Sequence, residues 1–317
     1  MLVGHANGMS EVTPTADRVR LPSDEAAQVR ALLDELGLPG MIDVHTHFMP
    51  RQVMDKVWAY FDQAGPLTGR PWPIAYRTGE QERLATLRSF GVERFTSLVY
   101  PHKPGMAAWL NGWARDFAAE TPDCLSSATF YPEPGAVDYV REAIDAGAQV
   151  FKAHVQVGDY DPNDPLLDPV WELLQERRVP VVIHSGHGPA PGTFTGPAGM
   201  DRLLARFPGL VLIIAHMGLP DYGRFLDLAE RYPGVHLDTT MAFTRFTEQE
   251  SPFPVAERSR LLQLADRVLF GSDFPNIPYP FLEAVEAVRA LELGDEWLRG
   301  VLRQNAHALF GSASAPE

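Results

Sequence analysis

Eight short apolar or β-branched runs recur along the chain, at residues 41–47, 94–100, 125–131, 149–155, 179–185, 210–216, 235–240 and 267–273. Most follow a glycine or proline. Longer stretches with helical periodicity separate them, among them AVDYVREAIDAG, LLDPVWELLQERR, GMDRLLARF and DYGRFLDLAERY. Strands that alternate with helices must pair in parallel, because a parallel partner needs a crossover. Eight such units predict an α/β fold closed into a (β/α)8 barrel of the TIM type. A doubly wound open sheet is the competing architecture, but no G-x-G-x-x-G follows the first run. At 317 residues the chain has the length of one barrel.

The organisation expected is therefore a single domain. Residues 1–40 form an N-terminal arm and helix, 41–311 the barrel, and 312–317 a frayed tail. Within the first segment SDEAAQVRALLDELG starts at Ser23, a candidate N-cap, and puts Val29, Leu32, Leu33 and Leu36 on one helical face. A later apolar helix, FLEAVEAVRALEL, would cover the barrel or serve an interface. Long connections follow the first run and His184, and in a barrel such loops build specificity.

Composition narrows the partners. With 27 Lys and Arg against 41 Asp and Glu the net charge is −14, which argues against nucleic acid but not against a small anionic substrate. The one cysteine excludes an intramolecular disulfide or a thiolate cluster. The opening residues lack a signal peptide's apolar run, and no stretch has the length to span a bilayer, so a cytoplasmic location is expected.

The chemistry starts at Asp43-Val-His45-Thr-His47. Alternation along a strand would put Asp43, His45 and His47 on one face, where two imidazoles at a strand end can share a metal ion. The bland reading is two unrelated surface histidines. His184, His216 and Asp273 each end another buried run; His184 alone could be a capped core histidine. A carboxylate ending a buried strand is costly unless paired or metal-bound. A barrel gathers all strand ends at one face, so the endings reinforce one another.

This ordered set, with IDVHTHF, VVIHSG, AHMG, FGSDFP and NAHALFG around it, resembles the amidohydrolase superfamily, in the branch of aminocarboxymuconate-semialdehyde decarboxylase. The resemblance covers residues 41–311. It implies that His45, His47, His184 and Asp273 hold one divalent metal ion, expected to be zinc, and that His216 orients or protonates the reacting group. Asp273 would also accept or deliver a proton. Three imidazoles and a carboxylate are donors that suit zinc and leave a position open. Lys152, which some relatives carboxylate to bridge two metals, is expected to stay unmodified here and to contact substrate or pair with a carboxylate. His154 shares its strand face. His187 and Arg51 are further candidates for substrate contact, as are Arg70 and Lys103, each against the plainer reading of a solvated surface residue. Asp43 is expected to orient a ligand imidazole. His102, His236 and His307 have no assigned role.

The leading functional expectation is hydrolysis of an amide, ester or lactone of a small molecule by metal-activated water. The alternative is metal-dependent, non-oxidative decarboxylation, which needs cations near the metal for a substrate carboxylate. A metal-free lactonase and a non-catalytic binding protein are further readings, separated by metal content and by the complete ligand set. A homodimer is the association expected of this branch.

Overall fold

The computed structural model describes residues 19–65 and 69–311. The frayed tail and most of the N-terminal arm lie outside the described residues. Among those described, nine short strands pair only in parallel: β1 (Met41–Asp43), β2 (Val92–Thr96), β3 (Cys124–Leu125), β4 (Ser127–Thr129), β5 (Val150–His154), β6 (Val181–His184), β7 (Leu212–Ile214), β8 (Val235–Asp238) and β9 (Val268–Leu269). They form two sheets, β1-β2-β3 and β4 through β9 in chain order. Only Ser126 separates β3 from β4, so the third expected run holds both, and the eight expected runs are all present.

Two seams complete the ring. At the first, the Ser97 amide donates to Ser127 Oγ (3.0 Å). At the second, the amides of Val44, Asp273 and His47 donate to the carbonyls of Phe270 (3.0 Å), His45 (2.8 Å) and Phe274 (2.7 Å), with a parallel bridge between Thr46 and Phe274. The fold is thus the expected α/β barrel. Closing it between β1 and β9 also carries Asp273 alongside His45 and His47.

Strand alternation sorts the core into two layers. Val150 and Val182, which share a strand face with Lys152 and His184, cluster with Ile42, Val44, Ile213 and Leu269. Phe151, Ala153, Val181, Ile183, Leu212 and Ile214 belong to a second cluster with the surrounding helices. Those helices fall where periodicity puts them: Ala136–Asp145, Asp168–Arg177, Pro197–Arg206 and Tyr222–Arg231. No helix among the described residues is long and apolar enough to cross a membrane.

The N-terminal helix is Glu25–Glu35, with Asp24 rather than Ser23 at the N-cap and no side-chain capping bond. Val29, Leu32, Leu33 and Leu36 are all buried, as the periodicity requires. Its first residue fastens it. Tyr76 Oη donates to the Glu25 carboxylate (2.7 Å), which also accepts from the Leu282 amide (3.0 Å), while Tyr76 Oη accepts from the Phe281 amide (2.6 Å). The helix Phe281–Arg289 therefore covers the barrel and docks the N-terminal helix. Replacing Glu25 by alanine leaves two buried donors without their acceptor. The expected loss is about 1–3 kcal/mol, read as a lower Tm with unchanged turnover.

Candidate metal centre

Strand β1 stops at Asp43 and the chain bends at Val44, so strict alternation does not continue into the histidines. Asp43 stabilises this bend. Its carboxylate accepts from the amides of His45 (3.1 Å) and Ser272 (3.1 Å) and from Ser272 Oγ (2.5 Å). The expectation that Asp43 orients a ligand imidazole is thus corrected: both oxygens are taken by the seam between β1 and the segment after β9. Burial pushes its pKa up to about 8, against the hydrogen bonds from Ser272 and His45. At Gly271, on the same seam, a Cβ would lie 2.2 Å from Thr240 Oγ1 and 2.8 Å from His45 Cβ, so only glycine lets these segments meet.

Beyond the bend, His45 and His47 place their ring centroids 5.2 Å apart. His47 Nε2 lies 2.9 Å from Asp273 Oδ1, and His45 Nε2 lies 3.8 Å from the same oxygen. Ligand atoms of these three residues all fall within 4.8 Å of one another. The far side of each ring is committed. His47 Nδ1–H donates to the Leu98 carbonyl (2.8 Å), and His45 Nδ1–H to Asp238 Oδ2 (2.9 Å). Those partners aim both Nε2 atoms at the Asp273 carboxylate: while protonated, His47 Nε2–H donates to it, and on loss of that proton each Nε2 offers the lone pair a metal ion requires. The donor set fits a divalent cation.

Burial alone would raise the Asp273 pKa. The hydrogen bond from His47 and the imidazoles of His47, His45 and His216 outweigh it and hold the carboxyl well below the usual range. Asp273 also has a left-handed backbone, φ 72°, as does His216 at φ 56°. Strain of this kind persists where the surroundings dictate it, which is common at functional sites.

His184 stands beside this group rather than within it. Its Nε2–H donates to the Gly188 carbonyl (2.8 Å), and its ring stacks on His154 at 4.2 Å and lies 4.7 Å from His216. His216 donates Nδ1–H to the Thr240 carbonyl (3.1 Å), and its amide donates to Asp238 Oδ1 (2.8 Å). Burial brings the His216 pKa down to about 4, so the ring is neutral and its Nε2 is free to accept a proton. Lys152 is fully buried and donates to His45 Nε2 (3.1 Å); burial lowers its pKa to about 8.

These side chains line the floor of a cavity of about 1040 Å³. His154 and His187 line it too, the latter with Nδ1 2.5 Å from Asp221 Oδ2. Tyr100 stands between His47 and His154, with ring centroids 5.6 and 4.8 Å away. Higher up, Trp72 donates to the Asn276 carbonyl (2.8 Å), and the Arg70 guanidinium lies 3.4 Å from the centroid of Phe246 and 3.5 Å from Glu250. The long loop after β1 thus builds one cavity wall. Arg51 does not take part. It opens the helix Arg51–Asp62 with its side chain 95% exposed, 3.9 Å from Asp55 and outside the cavity, so its expected substrate contact is corrected to a surface ion pair.

Asp238 went unread in the sequence. It ends β8 fully buried, accepts from His45, and also takes the amides of His216 and Thr240 (3.1 Å). A carboxylate ending an apolar run is the signal that singled out Asp273, and VHLDTT carries it as well.

Known proteins extend this picture. A 6-methylsalicylic acid decarboxylase from Penicillium expansum is 27% identical, over 85% of this chain and 95% of that protein. Among solved structures, an uncharacterised TIM-barrel protein from Bordetella bronchiseptica superposes with TM-score 0.69 at 21% identity, covering 86% of this chain and 99% of the other. A 2,6-dihydroxybenzoate decarboxylase bound to 2,6-dihydroxybenzoate superposes with TM-score 0.62 at 20% identity, covering 86% and 99%. Residues 42–312, the whole barrel with its histidines and Asp273, match the amidohydrolase family. The chain is a member of the amidohydrolase family.

Proposed function

We propose that this enzyme decarboxylates a small aromatic carboxylic acid, without oxidation and with a divalent metal ion, rather than hydrolysing an amide, ester or lactone. One observation carries the reading: the His45, His47 and Asp273 cluster forms the floor of a cavity walled by Tyr100, Trp72 and Phe246 and bearing the basic side chains Lys152 and Arg70. Flat aromatic walls with positive charge suit a planar acid. The similarity to 6-methylsalicylic acid decarboxylase supports the same class.

His45, His47 and Asp273 would hold the metal, with His184 proposed as a further donor; bound there, zinc or manganese supplies a Lewis acid toward the substrate's oxygens. The protein's own groups do the rest. The aromatic walls hold the ring and exclude water. Lys152 adds positive charge on the floor, where the carboxylate must sit. His216 Nε2 accepts a hydrogen bond from a ring hydroxyl beside the carboxylate and draws electron density into the ring. Asp273 in its protonated form passes the proton to the carbon that bears the carboxylate. The C–C bond then breaks, its electron pair restores the aromatic ring, carbon dioxide leaves, and solvent reprotonates Asp273.

The test is a reaction of the metal-loaded enzyme with 2-hydroxybenzoic acids in D₂O. Carbon dioxide release, with one deuterium on the carbon that lost it, is expected. Cleavage of esters, lactones or amides with no carbon dioxide from any acid would return the assignment to hydrolysis.

A further inference from the structure

The cavity has the opposite charge balance to the chain. Its lining carries four basic side chains, Lys56, Arg70, Lys103 and Lys152, against two carboxylates, Glu250 and Asp273, whereas the chain as a whole has 27 basic and 41 acidic side chains. Two of them, Lys56 and Lys103, are exposed at the rim, whereas Lys152 is fully buried. Among the described residues neither forms an ion pair. Lys56 sits one helical turn before Tyr60 on the helix Arg51–Asp62, so both can present to the same side. Lys103 and its neighbour His102 lie in the loop after β2, just ahead of Trp109 on the helix Ala107–Glu120. Both elements line the same cavity, and after its partial burial it is Lys103 and then Lys56 that lower the pKa of His102.

The rim is also apolar where a surface would normally be polar. Tyr60 (51% exposed), Trp109 (44%) and Val157 (39%) line it, three of the seven large hydrophobic side chains left exposed among the described residues. Concentration of exposed apolar area at one opening marks a binding surface. Volume points the same way. At about 1040 Å³ the cavity is at the upper end of the roughly 300–1,000 Å³ that accommodates drug-sized ligands. A one-ring acid bound at the floor would leave the rim uncovered.

We infer that the mouth of the cavity is a second anion subsite: Lys56, Lys103 and His102 receive a negatively charged group at the far end of a substrate whose middle is apolar and packs on Tyr60, Trp109 and Val157. The substrate class becomes an aromatic acid that carries a hydrophobic extension ending in an anion. This deepens the decarboxylase reading and rests on it for the floor end of the molecule.

Binding to the metal-loaded enzyme is to be measured by calorimetry with three probes: 2-hydroxybenzoic acid, the same acid bearing a hexyl chain on the ring, and its analogue whose chain ends in a carboxylate. The chain-terminal carboxylate is expected to tighten binding about tenfold over the hexyl compound at low salt. The gain should shrink in 0.5 M salt, because exposed charges are screened. Lys56→Ala and Lys103→Ala should each remove about threefold to fivefold of it. Arg51→Ala, which deletes an exposed cation of the same helix outside the cavity, should leave it intact. Equal affinity for the two chain-bearing probes, or a gain that survives the double lysine variant, overturns the subsite. Carbon dioxide release from 2-hydroxybenzoic acid itself is scored separately, so loss of the reaction and loss of the subsite cannot be confused.

Discussion

Asp273→Asn is expected to lower turnover of an accepted acid by about 10³-fold while the chain still folds. Asparagine keeps the volume and tolerates the left-handed φ of 72° about as well as aspartate, so the backbone at this strand end should be retained. The charge is not. The carboxylate oxygen that lies 2.9 Å from His47 Nε2 and 3.8 Å from His45 Nε2 becomes a neutral amide. The amide can neither neutralise a cation nor shuttle a proton to carbon. Circular dichroism and Tm should stay close to wild type, while kcat and bound metal fall. Turnover within tenfold of wild type would show that Asp273 is not the proton carrier.

The second large effect concerns a residue that touches no substrate. Asp238 holds His45 in the tautomer with a bare Nε2, and its other oxygen accepts the amides of His216 and Thr240. In Asp238→Asn, an amide NH₂ faces the His45 Nδ1–H, and His45 must move its proton to Nε2 to be accommodated. Flipping the amide moves the clash to the His216 and Thr240 amides. Metal affinity should drop about 10–100-fold, the usual cost of disturbing a residue that orients a ligand. Because the side chain keeps its size, Tm should fall far less than in Asp238→Ala, which strands three buried donors and should cost roughly 3 kcal/mol or more. Direct metal titration separates this positioning role from a merely structural one. An asparagine variant that binds metal like wild type would exclude it.

The lysine pair at the mouth and the Glu25 clamp differ from these in scale. Exposed cations act through screened Coulomb attraction, so each is expected to shift affinity only severalfold. Glu25 acts on docking of one helix, remote from the cavity, so its loss should register in Tm and not in kcat.

The chain's own order of residues determined the barrel, because parallel pairing and closure follow from eight apolar runs separated by helical periods. It also determined which residue types end those runs, and that was enough to name His45, His47, His184 and Asp273 as one cluster, of which the structure groups all but His184, and to reveal the amidohydrolase family. Tertiary structure decided what those side chains touch. The bend at Val44 gave Asp43 to Ser272 rather than to an imidazole. The pairing of β7 with β8 brought Asp238 beneath His216, and the seam with β9 brought Asp273 to His47. Arg51 was an attractive cation by its place in a loop-rich stretch, yet the helix it opens points it to solvent. Lys56, five residues on, reaches the cavity from the same helix. Chemical type is written residue by residue, but partnership depends on distances between segments far apart in the chain, and only closing the ring fixes those distances.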